Sequence, residues 1–243
     1  MRYALRVLET LLQELSVYGI RLTDAQVAQF EAYLALLIEW SARVNLVGDV
    51  NPDVVQRRHF AESLALGAAL REREILRPDA SVLDVGAGAG FPGLALKIAW
   101  PGIRLTLIEA TAKKTAFLSA VVDALALAGT TVLTGRAETL GHDPALRGAF
   151  DLVLARAVAP LPTLLELTLP FARVGGRVIT PKGSHATEEV AAAARALQVL
   201  GGKAFVAPFP VAGPPQTIVA VVKQRATPAG YPRRDGIPAK SPL

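Results

Sequence analysis

The chain has 243 residues, of which 51% are hydrophobic and 19% charged, and a formal net charge of +5. With a mean hydropathy of +0.36, this composition belongs to a globular chain of one large domain, or a domain with a helical annex, and excludes a disordered protein. No cysteine is present, which removes disulfides, thiolate nucleophiles, Cys-ligated zinc and iron–sulfur clusters and fits a reducing cytosol.

The opening stretch, MRYALRVLETLLQEL, has charges spaced through it and lacks an apolar block followed by a small-residue cleavage site, so it reads as a helix and not an export signal. Gln13, Glu14, Glu39 and Arg43 interrupt the most apolar N-terminal segments. No membrane span is expected, and the chain is expected to be cytoplasmic.

Residues 1 to about 78 read as helices only. Thr23 and Gln26 have the spacing of a capping box, after which Val27, Phe30, Leu34, Leu37 and Ile38 recur at three- and four-residue steps. Asn45, Gly48, Asn51 and Pro52 break that period before VVQRRHFAESLALGAAL resumes it, and Pro78 and Asp79 close the region.

From Ser81 short apolar runs alternate with helical stretches. Strands are expected at 81–86, 104–109, 130–135, 150–156, 176–182, 203–209 and 216–223, with helical stretches at 94–100, 112–128, 161–172 and 186–200. Repeated strand–helix–strand units require crossover connections, hence an α/β fold with a mostly parallel sheet covered on both faces. The last two strands are joined by PVAGPP, too short for a crossover, and are expected to form an antiparallel hairpin.

The densest signal is LDVGAGAGFPG, residues 83–93. Gly86, Gly88 and Gly90 let backbone approach a ligand closely, and Pro92 suits the first turn of the helix that follows. Glu109, at the end of the second strand, is placed to accept hydrogen bonds from ribose hydroxyls. A nucleoside cofactor at the carboxyl edge of the sheet follows, but GAGFPG also satisfies the G-x-G-x-x-G dinucleotide pattern. Asp84 favours S-adenosylmethionine over NAD, because a carboxylate welcomes a cationic amino-acid tail and is an awkward neighbour for a diphosphate.

Several strings resemble one family: LDVGAGAGFPG, the upstream ARVNLVGD and RRHFAESLAL, then GRAETL, LARAVAPL, PKG and the terminal YPRRDGIPAKSPL. Together, in this order and across nearly the whole chain, they look like the bacterial small-subunit ribosomal RNA guanine-N7 methyltransferases, also called glucose-inhibited division protein B. The resemblance implies a class I S-adenosylmethionine-dependent methyltransferase, Rossmann-like, with seven strands, one of them antiparallel, and an N-terminal helical extension. It also implies methylation at N7 of a guanine in a decoding-region loop of 16S rRNA, and cofactor contacts on Gly86, Phe91, Glu109, Ala110, Thr111, Ala137, Glu138 and Arg156. One departure is visible: where the family reads close to R-I-N-L-T, residues 43–47 read RVNLV, leaving no hydroxyl at Val47.

Guanine N7 carries no proton, so no general base is required. That fits three scattered histidines, His59, His142 and His185, with no metal-binding spacing and no nucleophile elbow; no metal is expected. Arg156, at the tip of the fourth strand, is the main polar candidate at the reaction centre, as a fixed donor to base, phosphate or cofactor or else in a salt bridge to an acid such as Glu138. Lys182 beside Gly183, Asn45 in the helical break and His59 in the basic run Arg57–Arg58–His59 complete the candidates, while Phe30, Trp40 and Phe60 read as core. Phe91, just after the glycines, is expected to face the adenosine.

The tail from Lys223 carries Lys223, Arg225, Arg233, Arg234 and Lys240 against Asp235 alone, or +4 of the total charge, and is broken by four prolines. It is expected to be an extended basic arm, without a helix, either solubilising or tracking RNA phosphates. The expected organisation is a helical extension (1–78), a cofactor-binding methyltransferase domain (79–224) and the arm (225–243), acting as a monomer on 16S rRNA or the small ribosomal subunit. Three other readings remain at this point: a methyltransferase for another RNA, a protein or a small molecule; a nicotinamide oxidoreductase; and a non-catalytic RNA-binding protein.

Overall fold

The computed structural model describes residues 8–156, 158–209, 211 and 216–243. The first seven residues of the opening stretch, Ala157 and most of the PVAGPP connection lie outside the described residues.

Among the described residues, seven strands form one sheet: β1 (Ser81–Val85), β2 (Arg104–Glu109), β3 (Thr130–Thr134), β4 (Phe150–Leu154), β5 (Ala172–Lys182), β6 (Gly202–Phe209) and β7 (Gln216–Lys223). Their order is β3-β2-β1-β4-β5-β7-β6. The first five strands pair in parallel, whereas β7 runs antiparallel to both β5 and β6. Chain order reverses between β1 and β4, so the carboxyl ends of β1, β2 and β4 flank the crevice where open α/β sheets bind ligands. β1 shows why its sequence makes a central strand: four of its five residues are buried, Asp84 among them. β5 starts at Ala172, four residues earlier than expected, because the preceding helix stops at Thr168 and Gly148 and Phe150 already bond to Pro170 and Phe171.

The N-terminal helices are α1 (Glu9–Val17), α2 (Asp24–Ser41), α3 (Pro52–Val55) and α4 (Glu62–Glu72), with one π-helical turn, Gln56–Ala61, between the last two. The Thr23–Gln26 capping box is present at the start of α2. Gln26 also donates from Nε2 to the carbonyls of Ile98 and Ala99, so the residue that starts α2 also ties it to the end of the helix after the glycine loop. Phe30, Leu34 and Leu37 are buried as the period requires, while Ile38 is 40% exposed. Helices α5 (Gly93–Ala99) and α6 (Ala112–Ala124) cover the same sheet face as this annex and share its apolar core. The opposite face is covered by α8 (Leu161–Thr168), α9 (Ala186–Ala192) and α10 (Ala194–Leu200), preceded in the chain by a short helix α7 (Ala137–Leu140). The expected helix at 186–200 is therefore two helices, broken at Ala193.

The tail departs from expectation. It folds back onto α7 and α8 and contains one helical turn, α11 (Ile237–Lys240), whose proline sits in the first turn where a missing N–H is harmless. Arg233 grips Glu166, which is fully buried, through Nε and Nη2, and donates its backbone N–H as well. Arg147 holds the carbonyls of Thr227, Pro228 and Tyr231. Of the tail's basic groups, Lys223 is buried against the Leu169 carbonyl and Arg225 donates to Gln198. Arg234 and Lys240 are exposed.

Candidate active site

The loop after β1 passes through three left-handed glycines, with φ of +69° at Gly86, +56° at Gly88 and +90° at Gly90. Their surroundings differ. A Cβ on Gly90 would meet Leu94 at 2.4 Å and the Tyr33 hydroxyl at 2.6 Å, so this glycine is required by packing. A Cβ on Gly88 would meet nothing nearer than the Gly86 carbonyl at 3.8 Å, so its α-carbon faces open space. Gly88 is thus the place where backbone lies bare to a ligand.

Asp84 lies beneath the loop, 1% exposed. Its Oδ2 accepts the backbone N–H of Gly93, the first residue of α5, at 2.9 Å, with Pro92 as the cap. The carboxylate therefore occupies the helix N-terminus that a diphosphate would need. Its other oxygen, Oδ1, is buried without a hydrogen-bond partner. Burial pushes the Asp84 carboxyl up to about 7, against the opposing pull of the Gly93 N–H and Arg156; Glu109 pushes it further up. An orphaned buried carboxylate oxygen is costly unless a donor or cation meets it. This chemistry fits the ammonium of an amino-acid tail and disfavours a dinucleotide.

Glu109, 8% exposed, ends β2 and spans the crevice: Oε2 accepts from Gly88 N at 3.1 Å and Oε1 from Thr111 N at 2.9 Å. Ala110 and Thr111 are exposed beside it. Ala137 and Glu138 are buried in α7, where Glu138 accepts the Gly236 N–H of the tail at 3.1 Å. Phe91 directly follows Gly90. Its ring, 8% exposed, stacks on His59 (centroids 4.9 Å, 13°) and Tyr33 (5.3 Å, 26°) and meets Phe60 edge-on. It belongs to the aromatic cluster that joins loop to annex.

Next to the loop opens a cleft of about 750 Å³ lined by Arg57, Arg58, His59, Glu62, Arg156 and Lys182 among others. Three of the four catalytic candidates meet here. Arg156 leaves β4 and reaches the π turn, donating to the Arg58 carbonyl at 3.1 Å and to His59 Nδ1 at 2.5 Å. A guanidinium only donates, so Nδ1 is the acceptor and the ring proton is on Nε2. Burial, then Arg156, then Arg58 lower the His59 pKa to about 4, which makes it a neutral donor. The acid beside Arg156 is Glu62, at 3.7 Å, and not Glu138. Burial lowers the Arg156 pKa while Glu62, Asp84 and Tyr33 raise it; burial raises that of Glu62, with Arg156 foremost among the groups opposing it. Lys182 is paired with Glu189 at 2.7 Å, and Arg57 with Glu14 at 3.5 Å. Asn45 is exposed in the loop after α2 and does not line the cleft. Phe30 and Phe60 are fully buried, as core residues should be.

Two residues here escaped the sequence reading. Tyr33 is fully buried under the loop, donates its hydroxyl to the Ala89 carbonyl, and has its own pKa raised by burial and then by Asp84. A tyrosine on the apolar stripe of α2 was its signal, since a buried phenol needs a partner. Glu62 had none, because only the π turn aims the start of α4 at Arg156. Among the described residues no group of three or more histidines and acids is arranged to hold a metal ion, and no helix is long and apolar enough to cross a membrane.

The architecture is shared with solved structures, a methyltransferase among them. The O-methyltransferase from Bacillus cereus in complex with SAH superposes with a TM-score of 0.54 at 17% identity, covering 79% of this chain and 91% of that one. A variant of MtNAS in complex with S-adenosylmethionine gives 0.56 at 17% identity, covering 81% and 75%. These likenesses establish the class I S-adenosylmethionine-dependent methyltransferase fold. In sequence, the ribosomal RNA small subunit methyltransferase G of Roseiflexus sp. (strain RS-1) is 43% identical over 97% of this chain and 100% of its own length. The protein of the same name from Dehalococcoides mccartyi (strain CBDB1) is 44% identical over 94% and 97%. The family model described as rRNA small subunit methyltransferase G matches residues 26–217. With the glycine loop, the capped acid beneath it and full-length relatives in agreement, the chain belongs to the rRNA small subunit methyltransferase G family.

Proposed function

We propose that the protein transfers a methyl group from S-adenosylmethionine to N7 of a guanine in 16S rRNA, in the cytoplasm and as a monomer, on naked RNA or the small ribosomal subunit. The observation that carries this reading is Asp84: a carboxyl already at the N-terminus of α5, whose second oxygen is buried without a partner. Residues 79–224 form the donor-binding domain, the helical extension 1–78 contributes Arg57, Arg58, His59 and Glu62 to the cleft, and residues 225–243 brace α7 and α8. When bound, S-adenosylmethionine supplies an electrophilic methyl group on a sulfonium. Asp84 and Glu109 hold its cationic tail and its ribose, with Gly86, Gly88 and Gly90 giving close backbone approach, Ala110 and Thr111 following Glu109, and Ala137 and Glu138 adjoining from α7.

The attacking N7 lone pair carries no proton, so the chain's own residues work by orientation and charge. Arg156 is fixed by His59 and the Arg58 carbonyl, and it presents rigid donors that orient the base through O6. His59 stays neutral and adds no second cation. Lys182 and the exposed Arg58 at the cleft mouth meet backbone phosphate.

The test is methyl transfer from labelled S-adenosylmethionine to small-subunit RNA, with nucleoside mass spectrometry of the product. Wild-type protein should yield N7-methylguanosine. Arg156→Ala should lose about 100-fold or more in turnover while keeping its circular-dichroism spectrum. Wild-type turnover by that variant, or a different methylated nucleoside, contradicts the reading.

A further inference from the structure

The cleft contains a carboxylate that methyl transfer itself does not use. Glu62 opens α4 directly after the π turn, and its side chain is 20% exposed. It is fixed from two sides: Oε1 accepts from Gln216 Nε2, at the start of β7, at 3.2 Å, and Oε2 lies 3.7 Å from Arg156 Nη1. The other acid among the described lining residues, Glu14, lies at 3.5 Å from Arg57. Glu62 is therefore the cleft carboxylate beside Arg156.

Around its edge guanine presents N7, then O6, then N1–H, then the N2 amine: two acceptors followed by donors. The cleft brings matching groups together: Arg156, fixed against His59 and the Arg58 carbonyl, supplies donors, and Glu62, 3.7 Å from Arg156, supplies acceptors beside them. A volume of about 750 Å³ admits a base taken out of its stack together with its sugar and phosphate.

Resting on the proposed transfer to guanine, we propose that Glu62 is the specificity-determining residue for the target base, its carboxylate accepting from N1–H and the N2 amine while Arg156 and His59 face O6. Adenine is rejected on the same contacts: it has no N1–H for Glu62, and its 6-amino donor confronts the donors of Arg156 and His59.

The experiment uses the full chain and a small-subunit RNA in which the methylated guanine, once mapped, is replaced by inosine through ligation of a synthetic segment. Inosine keeps N7, O6 and N1–H and lacks only the N2 amine. Wild-type kcat/KM should fall about tenfold or more on inosine, as for losing one hydrogen bond to a charged group, and Glu62→Gln should be slower on guanine and bring the guanine-to-inosine ratio close to one. Equal wild-type rates on the two RNAs overturn the proposal. So does a Glu62→Gln variant that is slower on both by the same factor, the signature of a merely structural partner for Arg156. The wild-type comparison decides the matter even where the variant fails to fold. Absence of transfer to guanine by wild type refutes the underlying reading instead, and the guanine substrate alone reports that.

Discussion

At Asp84 a single side chain has two incompatible-looking tasks. One oxygen caps α5 through Gly93, and the other is left buried without a partner. Burial raises its pKa to about 7 from an ordinary 3.8. The folded state therefore binds a proton that the unfolded chain releases between about pH 4 and 7. The associated stability is present at low pH and lost as pH rises toward 7, the reverse of a salt-bridged carboxylate. A cation arriving beside Asp84 favours the ionised form and expels that proton. Donor affinity should then strengthen by up to about tenfold per pH unit up to about 7 and level off above it. Titration calorimetry in buffers of different ionisation enthalpy should detect a proton released below pH 7, and Asp84→Asn should abolish both the release and the pH dependence. His59, neutral in the folded protein above about pH 4, does not titrate in the range of the affinity measurement. An affinity flat from pH 5 to 8 in the wild type argues against a cation at Asp84.

The glycine loop shows how neighbouring positions of one element answer to different demands. Gly90 is held by its packing against Leu94 and Tyr33, and Gly88 by what must approach it. Gly90→Ala should lower the melting temperature markedly, since a Cβ at 2.4 Å from Leu94 forces the loop off its helix. Gly88→Ala, with open space around its Cβ, should cost only the about 1–2 kcal/mol of a left-handed alanine, yet lose most donor binding. Thermal denaturation with and without S-adenosylmethionine separates the two: a Gly88→Ala protein that is still stabilised normally by the donor would show that nothing approaches there. The π turn is the other element with a specific task. A single widened turn rotates His59 toward Phe91 and Arg156 and leaves Phe60 fully buried, an arrangement common at functional sites.

Across the molecule, the annex and the tail act as braces on opposite faces of one sheet. Annex, α5 and α6 share one apolar cluster, and α8–α10 form the other with help from Tyr231 and Leu243 of the tail. The tail's central tie is Arg233 on Glu166, fully buried. Removing one partner of such a pair leaves an uncompensated buried charge, so Arg233→Ala should destabilise by about 3 kcal/mol or more, measured by urea denaturation. A loss near zero would mean that the tail adds nothing to the fold. Arg225, Arg234 and Lys240 are the tail's exposed cations, and Arg225 is tied to the Gln198 carbonyl; replacing Arg234 and Lys240 by alanine should flatten the salt slope of RNA binding by up to about 2. An unchanged slope places the tail outside the RNA interface.

The strand–helix alternation, the capping box at Thr23 and the glycine loop were legible along the chain because each depends on local periodicity or backbone freedom. Asp84 likewise announced its chemistry by standing two residues before Gly86, the loop's first turn. Glu62, Tyr33 and the bonding of Arg156 to His59 were not legible, for these groups lie from 56 to 154 residues from the partners they serve and meet only when the annex closes over β4 and the loop. The tail was misread for the same reason: four prolines exclude a long helix, but whether a proline-rich segment extends or docks depends on the buried Glu166 that Arg233 finds across the fold. Local grammar thus determined the sheet, the loop and the kind of ligand, because these follow from neighbours in sequence. Which side chains face the substrate was decided only by packing, because charges and hydrogen bonds act through space and not along the chain.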